Sequence, residues 1–331
     1  MRAAVLRQFG SPLEVTQIDD PVPGPGEVLV RVRAVGLCGT DLKVVDGTLP
    51  GLALPLVPGH EIAGEVIGGG DAAMSGTAVA CYLYEPCGEC RACRSGADAL
   101  CPYAARVGRS RNGGLAELVV MRQENVLPYH DLEPALAAVA MDAVATSWRA
   151  LRIRAQLVPG ERLAISGAGG LGANAIQIAL EVGASVAVVD PDDTARARAL
   201  ALGAALAVHP HEAARILEWS AGGVDAGLEA SGHVSGFESL LGCVRPGGRI
   251  VCCGYSPGTL YELDSMRLVL AEISVVGSRA SSREDARAAL AAVEQGRITP
   301  TIDRTLPLVQ VNEGLALLRR GGLAGRVVIV P

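Results

Sequence analysis

The sequence predicts an α/β protein of two domains, one built on a doubly wound parallel sheet and the other rich in β-structure. Strands and helices alternate after about residue 144, which is typical of a parallel sheet. Short strands with frequent turns occupy residues 1 to about 80 instead. The length of 331 residues also exceeds what one hydrophobic core usually serves.

The predicted elements follow the apolar pattern along the chain. In the β-rich part, β-branched residues predict strands at 28–35 and 62–67. In the second part, short apolar runs predict further strands, at 162–166, 185–190, 224–229 and 248–254. Helical spacing predicts helices at 173–183, 194–202 and 283–295, and the chain closes with a strand at 325–330.

Composition excludes several classes of protein. Half of the residues are hydrophobic and 19% are charged, without blocks of like charge, so long disordered stretches are not expected. The formal net charge of −6 argues against a nucleic-acid partner. No apolar stretch reaches about 18 residues and the N-terminus lacks a signal-peptide pattern, so we expect no membrane partner and a cytoplasmic location.

Four of the nine cysteines lie in one cluster, the four-cysteine lobe (about 85–103). Its spacing is C-x2-C-x2-C-x7-C, formed by Cys87, Cys90, Cys93 and Cys101. In a reducing compartment this spacing indicates a metal site, and four thiolates complete a tetrahedral zinc shell that leaves no position for substrate. A structural zinc site is therefore predicted. The alternatives are four unliganded cysteines or an iron–sulfur cluster, although the gap of seven differs from the ferredoxin spacing.

A second set of metal-binding residue types lies earlier in the chain. Cys38 follows the predicted strand 28–35, and the tripeptide Gly59-His60-Glu61 begins 21 residues later. Alone, a cysteine is usually a small core residue and a histidine is usually structural. Together, beside the four-cysteine lobe and ahead of a nucleotide-binding pattern, they indicate a second metal site.

The nucleotide-binding pattern is G-x-G-x-x-G between a predicted strand and a predicted helix. Its residues are Gly167, Gly169, Gly170, Leu171 and Gly172. Asp190 follows at a strand end 18 residues later, which completes the dinucleotide fingerprint. Asp190 is expected to accept hydrogen bonds from the adenosine ribose and to repel a 2′-phosphate, so the predicted cofactor is NAD rather than NADP. Arg196 and Arg198 lie farther along, on the next helix.

The four-cysteine lobe, the earlier cysteine and histidine, and the nucleotide-binding pattern, together with residues 113–117, resemble the zinc-containing alcohol dehydrogenases of the medium-chain dehydrogenase/reductase superfamily. The resemblance covers nearly the whole chain. The resemblance implies a GroES-like catalytic domain, 1–143 with 280–331, and a Rossmann domain, 144–279, with the active site in the cleft between them. It implies two zinc ions per chain and makes Cys38 and His60 catalytic zinc ligands. Glu61 would lie next to the metal, where the matching family residue can ligate directly or transiently when water leaves.

The third ligand implied by the resemblance is Asp142, where many members carry cysteine. The alternative is a carboxylate on a helix surface, but its apolar neighbours favour a metal ligand, since a buried carboxylate needs a partner. Zinc with an open position would act as a Lewis acid on the alcohol oxygen.

Other positions carry roles implied by the resemblance. Thr40 would begin the proton relay, and Asp41 would orient the zinc histidine; the alternative for both is an ordinary loop cap. Lys43 stands where many relatives have the histidine that ends the relay, so it is either a relay member or a solvated side chain. Thr146 matches a position near the nicotinamide or is a helix hydroxyl bonded to its own backbone. Arg326 would contact the cofactor pyrophosphate or is a surface arginine.

The predicted function is reversible hydride transfer between NAD and an alcohol, such as a secondary alcohol, polyol or sugar, giving a ketone or aldehyde. One alternative is a zinc-free type of quinone or enone reductase from the same superfamily, and another is a non-catalytic binding protein on the same fold. The resemblance also implies a homodimer or homotetramer. Which alcohol is the substrate does not follow from the sequence.

Overall fold

The computed structural model describes residues 1–331, apart from the side chain of Ala73, as two compact units. The first unit comprises Met1–Ala145, Ser281–Gly296 and Ile302–Pro331, and the second comprises Thr146–Ala280 and Arg297–Thr301. Among the described residues, none of the helices combines the length and the apolar character needed to cross a bilayer.

Strands and helices follow one another along the chain as follows. The strands are β1 (Arg2–Val5), β2 (Glu14–Gln17), β3 (Glu27–Leu37), β4 (Glu61–Gly69), β5 (Ala78–Cys81), β6 (Tyr84–Glu85), β7 (Ala105–Arg106), β8 (Leu118–Arg122), β9 (Val126–Pro128), β10 (Arg162–Ser166), β11 (Ser185–Val189), β12 (Leu206–Val208), β13 (Val224–Glu229), β14 (Val244–Cys252), β15 (Ser274–Gly277), β16 (Ile302–Pro307) and β17 (Arg326–Val330). The helices are α1 (Gly39–Val45), α2 (Arg91–Arg94), α3 (Pro134–Val139), α4 (Ala145–Trp148), α5 (Gly172–Val182), α6 (Asp193–Ala201), α7 (Ala214–Trp219), α8 (Val234–Cys243), α9 (Ser265–Leu270), α10 (Arg283–Glu294) and α11 (Val311–Arg320).

The second unit is the predicted doubly wound domain, and its fold class is confirmed. Its six parallel strands have the order β12-β11-β10-β13-β14-β15, which is the Rossmann order 3-2-1-4-5-6. The order reverses between β10 and β13, so the loops after these two strands lie at the switch point where such sheets bind ligands. The predicted strands 162–166 and 224–229 coincide with β10 and β13.

The first unit is the predicted β-rich domain, built around a seven-stranded sheet. The order is β16-β17-β3-β4-β5-β9, and β8 also pairs with β3. The long strand β3 is central, and its alternating buried residues pack into one core with residues such as Ile62 and Leu115. A sheet with one buried core and frequent turns explains why short β-branched segments recur in this part of the sequence.

The pairing of three strands brings distant parts of the chain together. Because β3 and β4 are antiparallel, the end of β3 lies beside the start of β4, and Gly36 pairs with Glu61. Strand β17 is also antiparallel to β3, and Val327 pairs with Leu37. Cys38, His60 and Arg326 flank these pairs, so they lie together at the same end of the three strands.

One local prediction is corrected by the structure. The sequence predicts only short strands and turns in residues 1 to about 80, but residues 39–45 form helix α1 with Cys38 as its N-cap. The Cys38 side chain accepts the Thr40 N–H, and the Asp41 side chain accepts the Cys38 N–H, so this helix starts with a capping box. The helix is short, which is why its period is not visible in the sequence.

Candidate functional site

Four metal-binding side chains converge in the first unit. One ligand atom from each of Cys38, His60, Glu61 and Asp142 lies within 4.8 Å of the others. Cys38 Sγ lies 3.2 Å from His60 Nε2, and that nitrogen lies 3.8 Å from Asp142 Oδ2. Sulfur, imidazole and carboxylate donors at these separations match the ligands and spacings of a zinc site, so the residues present fit the metal.

Asp142 reaches this cluster from a π-helical turn, Ala140–Val144, that follows α3. Its side chain is mostly covered, with 17% of its surface exposed, so it is not the helix-surface carboxylate of the alternative interpretation. Single π-turns within helices are frequent at functional sites because they change the direction in which a side chain points.

Asp41 fixes the orientation of His60. One carboxylate oxygen lies 3.1 Å from His60 Nδ1, and the other accepts the Cys38 N–H at 2.9 Å. A hydrogen bond at Nδ1 leaves the lone pair of Nε2 directed at the cluster. The predicted role of Asp41 as the carboxylate that orients the histidine is thus consistent with its position, which is completely buried.

The electrostatics of the cluster favour a cation. Burial alone would lower the pKa of His60, but the nearby Cys38 and Asp41 charges raise it well above its ordinary value. Groups that stabilise a positive charge on a buried imidazole also attract a metal cation. The cluster therefore has a negative electrostatic potential, and its ligand atoms also have the spacing of a metal site.

Arg326 is bonded to Glu61 in the interior of the first unit. Its Nη2 lies 2.8 Å from Glu61 Oε1 and 3.6 Å from Asp142 Oδ2, and the residue is 8% exposed, so the alternative of a surface arginine is wrong. Burial raises the pKa of Glu61 to about 7 although Arg326 opposes this. Gly36 leaves the room for this pair, since a Cβ there would lie 2.1 Å from Glu61 Oε2.

Thr40 and Lys43 lie on α1 close to the cluster. Thr40 is half-buried and its N–H donates to Cys38 Sγ at 3.2 Å. Lys43 is also half-buried; burial lowers its pKa, the Cys38 charge raises it and the charge of Arg109 lowers it further. Both side chains lie near the expected reaction site, and their relay roles stay predictions.

The sulfur atoms of the four-cysteine lobe are arranged as in a tetrahedral metal site. The Sγ–Sγ distance is 3.5 Å between Cys90 and Cys93, 3.6 Å between Cys101 and Cys87, and 3.9 Å between Cys87 and Cys93. A tetrahedron with zinc–sulfur bonds of ~2.3 Å has edges of about 3.8 Å, so the lobe fits zinc without rearrangement. Hydrogen bonds from the Glu89 and Cys90 N–H groups lower the pKa of Cys87 to about 7, which favours its thiolate.

A buried ion pair supports the base of the lobe, and sequence reasoning missed it. Glu85, on β6 two residues before Cys87, has a side chain only 2% exposed, and both of its oxygens lie 2.6 Å from Arg111 Nη1. Arg122 Nε lies 3.8 Å from the same carboxylate. No motif marks these residues, because their pairing depends on the fold and not on spacing.

The glycine-rich loop of the second unit lies between β10 and α5, as predicted. A Cβ at Gly172 would lie 1.8 Å from the Gly167 carbonyl oxygen, so the turn requires glycine there. Asp190 follows β11, and its carboxylate accepts the N–H of Ala168 at 2.7 Å and of Asp192 at 2.9 Å. A carboxylate has about four acceptor positions, so Asp190 retains acceptor capacity toward a ribose.

Two arginines lie closer to this loop than the sequence suggested. Arg196 Nη1 donates to the Asp190 carbonyl at 2.7 Å, and Arg198 Nη2 donates to the Ala168 carbonyl at 2.9 Å. Their positive charges weaken the sequence argument for NAD over NADP, which rested on Asp190 and placed both arginines farther along the chain. Thr146 is buried on α4, and its predicted contact with the nicotinamide stays a prediction.

Comparisons with known proteins agree with this arrangement. Residues 24–131 match the model of the alcohol dehydrogenase GroES-like domain, and residues 170–295 match that of the zinc-binding dehydrogenase family. An alcohol dehydrogenase from Geobacillus stearothermophilus is 36% identical over 99% of both chains. An acryloyl-coenzyme A reductase from Metallosphaera sedula is 30% identical over 99% of both chains.

The solved structures agree at the level of the fold. The crystal structure of an NAD-dependent alcohol dehydrogenase superposes with a TM-score of 0.94 at 32% identity and covers all of both chains. The metal-binding cluster, the Rossmann strand order and these relatives lead to the same conclusion. The chain belongs to the zinc-containing alcohol dehydrogenase family of the medium-chain dehydrogenase/reductase superfamily, a family of oxidoreductases.

Proposed function

We propose that the protein is a zinc-dependent dehydrogenase that transfers hydride reversibly between an alcohol and NAD. The observation that carries this proposal is the convergence of Cys38, His60, Glu61 and Asp142 within 4.8 Å, in a chain that also has a dinucleotide-binding loop. A family relationship alone leaves the reaction open, since the relatives include proteins named for different substrates.

Cys38, His60 and Asp142 would hold the catalytic zinc, and the four-cysteine lobe would hold a structural one. A zinc ion with an open coordination position supplies a Lewis acid for an alcohol or carbonyl oxygen. Glu61 is engaged by Arg326 at 2.8 Å, so we propose that it lies beside the metal and ligates only when that ion pair loosens.

The remaining residues of the site position groups and move a proton. Asp41 holds the His60 ring through Nδ1. Thr40 is the second residue of α1, the helix that Cys38 caps, and its hydroxyl would accept the proton that the substrate alcohol loses while it passes its own proton on toward solvent. Cys38, Thr40 and Asp41 are the N-cap and first-turn residues of one short helix, so the helix fixes their spacing. This limits the entropy cost of assembling the site.

NAD is the proposed cofactor because Asp190 is buried at the end of β11 and fixed by two backbone N–H groups beside the glycine-rich loop. NADH and NADPH binding, measured by fluorescence titration, tests this. We expect NADH to bind more tightly, and Asp190→Ala to weaken NADH binding by about 10- to 100-fold, since hydrogen bonds to a charged group contribute about 1.5–3 kcal/mol. Tighter binding of NADPH by the unmodified protein would contradict the proposal.

Zinc content and alcohol oxidation test the proposed reaction directly. We expect two zinc ions per chain by elemental mass spectrometry, and NADH formation with a panel of secondary alcohols and polyols. Asp142→Ala is expected to lower the zinc content to about one and to abolish the reaction. Asp131→Ala, at an exposed position, is the control and should change neither. Full zinc content and full rate in Asp142→Ala would contradict the proposed ligand set.

Reduction of an activated double bond is a second candidate, because one relative is named acryloyl-coenzyme A reductase. Consumption of NADH or NADPH with acryloyl-coenzyme A, without oxidation of any alcohol in the panel, would favour it. We further propose that the protein is cytoplasmic and forms a homodimer or a homotetramer. Light scattering of the purified protein distinguishes the dimer from the tetramer.

A further inference from the structure

Lys43 is the only lysine in the chain; the other 28 of the 29 basic residues are arginine. It lies on the last turn of α1, five residues after Cys38, and is half-buried. Burial lowers its pKa, the charge of Cys38 raises it and the charge of Arg109 lowers it, so Cys38 and Arg109 each lie within electrostatic reach of Lys43. The single lysine is therefore placed beside the proposed zinc site together with a second cation.

The second cation, Arg109, is brought to this place by close backbone packing. It follows Gly108, where a Cβ would lie 2.7 Å from the carbonyl oxygen of Gly59, the residue before His60. In the same loop Gly114 donates its N–H to that oxygen at 3.0 Å. The loop that carries Arg109 is thus packed directly against the segment that carries the zinc histidine.

In the part of the chain that the structure describes, no carboxylate neutralises the Arg109 side chain. Its Nε is buried and has no hydrogen-bond partner among the described residues, and no carboxylate there forms an ion pair with it. Arg111, two residues later, is by contrast bonded to both oxygens of Glu85. A partly buried guanidinium without an anion is costly unless a ligand supplies one.

The acidic groups nearest to the zinc site are already engaged. Asp41 is bonded to His60, and Glu61 is bonded to Arg326. The Cys38 sulfur and the Asp142 carboxylate are the proposed zinc ligands. Arg109 and Lys43 therefore bring two positive charges to a site whose nearest carboxylates are already bonded to other residues or are proposed zinc ligands.

We propose that Arg109 and Lys43 bind an anionic substituent of the substrate, so that the enzyme acts on an alcohol that also carries a carboxylate or a phosphate. This rests on the proposed dehydrogenase function and narrows its substrate class. Guanidinium and ammonium groups both bind such anions through charge-assisted hydrogen bonds. In this role Lys43 acts as a charged ligand and not as the outlet of the proton relay.

Matched substrates test the proposal kinetically. The carboxylate pair is 4-hydroxypentanoate with 2-pentanol, and the phosphate pair is glycerol 3-phosphate with glycerol. In at least one pair we expect kcat/KM for the anionic member to exceed that for the neutral member by about 10- to 100-fold. Equal values within both pairs, or a preference for the neutral members, would overturn it; the pair that shows the preference identifies the anion.

Variants of the arginine assign the preference to this site. Arg109→Gln is expected to lower the anionic-to-neutral ratio at least tenfold, and Arg109→Lys to restore part of it. Arg320→Gln removes the same charge from an exposed position at the end of α11 and should leave the ratio unchanged. An unchanged ratio in Arg109→Gln would overturn the assignment.

A binding measurement that needs no turnover separates this proposal from the proposed function. Acetylation of Lys43 in the zinc-loaded protein can be followed by peptide mass spectrometry without interference, because the chain has no other lysine. Pentanoate or inorganic phosphate should slow this acetylation, 1-pentanol should not, and the protection should be lost in Arg109→Gln. Protection without oxidation of any alcohol would support the anion site and contradict the dehydrogenase proposal. Absence of protection by both anions would overturn the anion site itself.

Discussion

Replacement of Glu85 by glutamine tests whether the buried ion pair beneath the four-cysteine lobe holds the lobe in place. Both Glu85 oxygens lie 2.6 Å from Arg111 Nη1, and the side chain is 2% exposed. Glutamine keeps the size and one acceptor oxygen but removes the charge. The variant therefore leaves the Arg111 guanidinium short of an anion without opening a cavity.

The size of the effect follows from the burial of the two partners. Removing one partner of a fully buried pair costs about 3–5 kcal/mol. Arg111 is 25% exposed and has a second carboxylate, Glu27, at 3.4 Å, so part of its charge remains compensated. We therefore expect Glu85→Gln to lower the free energy of unfolding by about 2 kcal/mol, a factor of about 30 in the equilibrium constant.

Two assays measure this change. Urea unfolding followed by circular dichroism gives the loss of stability, and transfer of zinc to a colorimetric chelator gives the rate of metal release, which should rise because β6 leads directly into Cys87. Glu124→Gln is the control: its side chain is 54% exposed and its ion pair with Arg283 is worth less than about 1 kcal/mol. Equal stability and equal zinc release in the two variants would show that the Glu85–Arg111 pair does not hold the lobe in place.

Two further predictions concern backbone packing in the first unit and an ion pair in the second. Gly113→Ala should cost about 1–3 kcal/mol and loosen the metal site, since its Cβ would lie 2.0 Å from the Gly59 oxygen, whereas Gly242→Ala, in open space on α8, should be neutral or stabilising. Urea unfolding compares the two, and equal stability would contradict the packing argument. Arg249 binds both oxygens of Glu161, at 2.9 and 2.6 Å; burial alone would raise the Glu161 pKa, but Arg249 and a backbone N–H lower it. This stabilisation is present above the ordinary pKa of 4.5 and is lost as the pH falls through the lowered value, so Arg249→Met should destabilise by about 1 kcal/mol at pH 7 and by less at pH 3.5. An equal loss of stability in Arg249→Met at pH 7 and at pH 3.5 would contradict this role of the Arg249–Glu161 ion pair.

The sequence predicted well the parts of the fold that local pattern determines. Strands β10 and β13 are buried parallel strands, so they read as unbroken apolar runs with clear ends. Helix α5 ends where Gly183 adopts a positive φ of 91°, which is the usual signal for a helix C-terminus. The cysteine spacing likewise predicted the lobe, because its four ligands are close in sequence.

Features that depend on contacts between distant segments were not predictable in the same way. The burial of Arg326 follows from the register of β17 against β3, which no local pattern specifies. The position of Arg109 depends on the approach of its loop to Gly59, fifty residues earlier, and the π-turn that aims Asp142 leaves no periodic signature. Helix α1 was missed because a seven-residue helix is too short to show a hydrophobic period.

Anomalous X-ray diffraction on either side of the zinc absorption edge, on crystals of the protein as purified, shows whether Cys38, His60 and Asp142 share a zinc ion. We expect two zinc peaks per chain, one within about 2.0–2.3 Å of Cys38 Sγ, His60 Nε2 and an Asp142 oxygen, and one among the four lobe sulfurs. A peak in the lobe alone, with Asp142 directed away from Cys38 and His60, would contradict it.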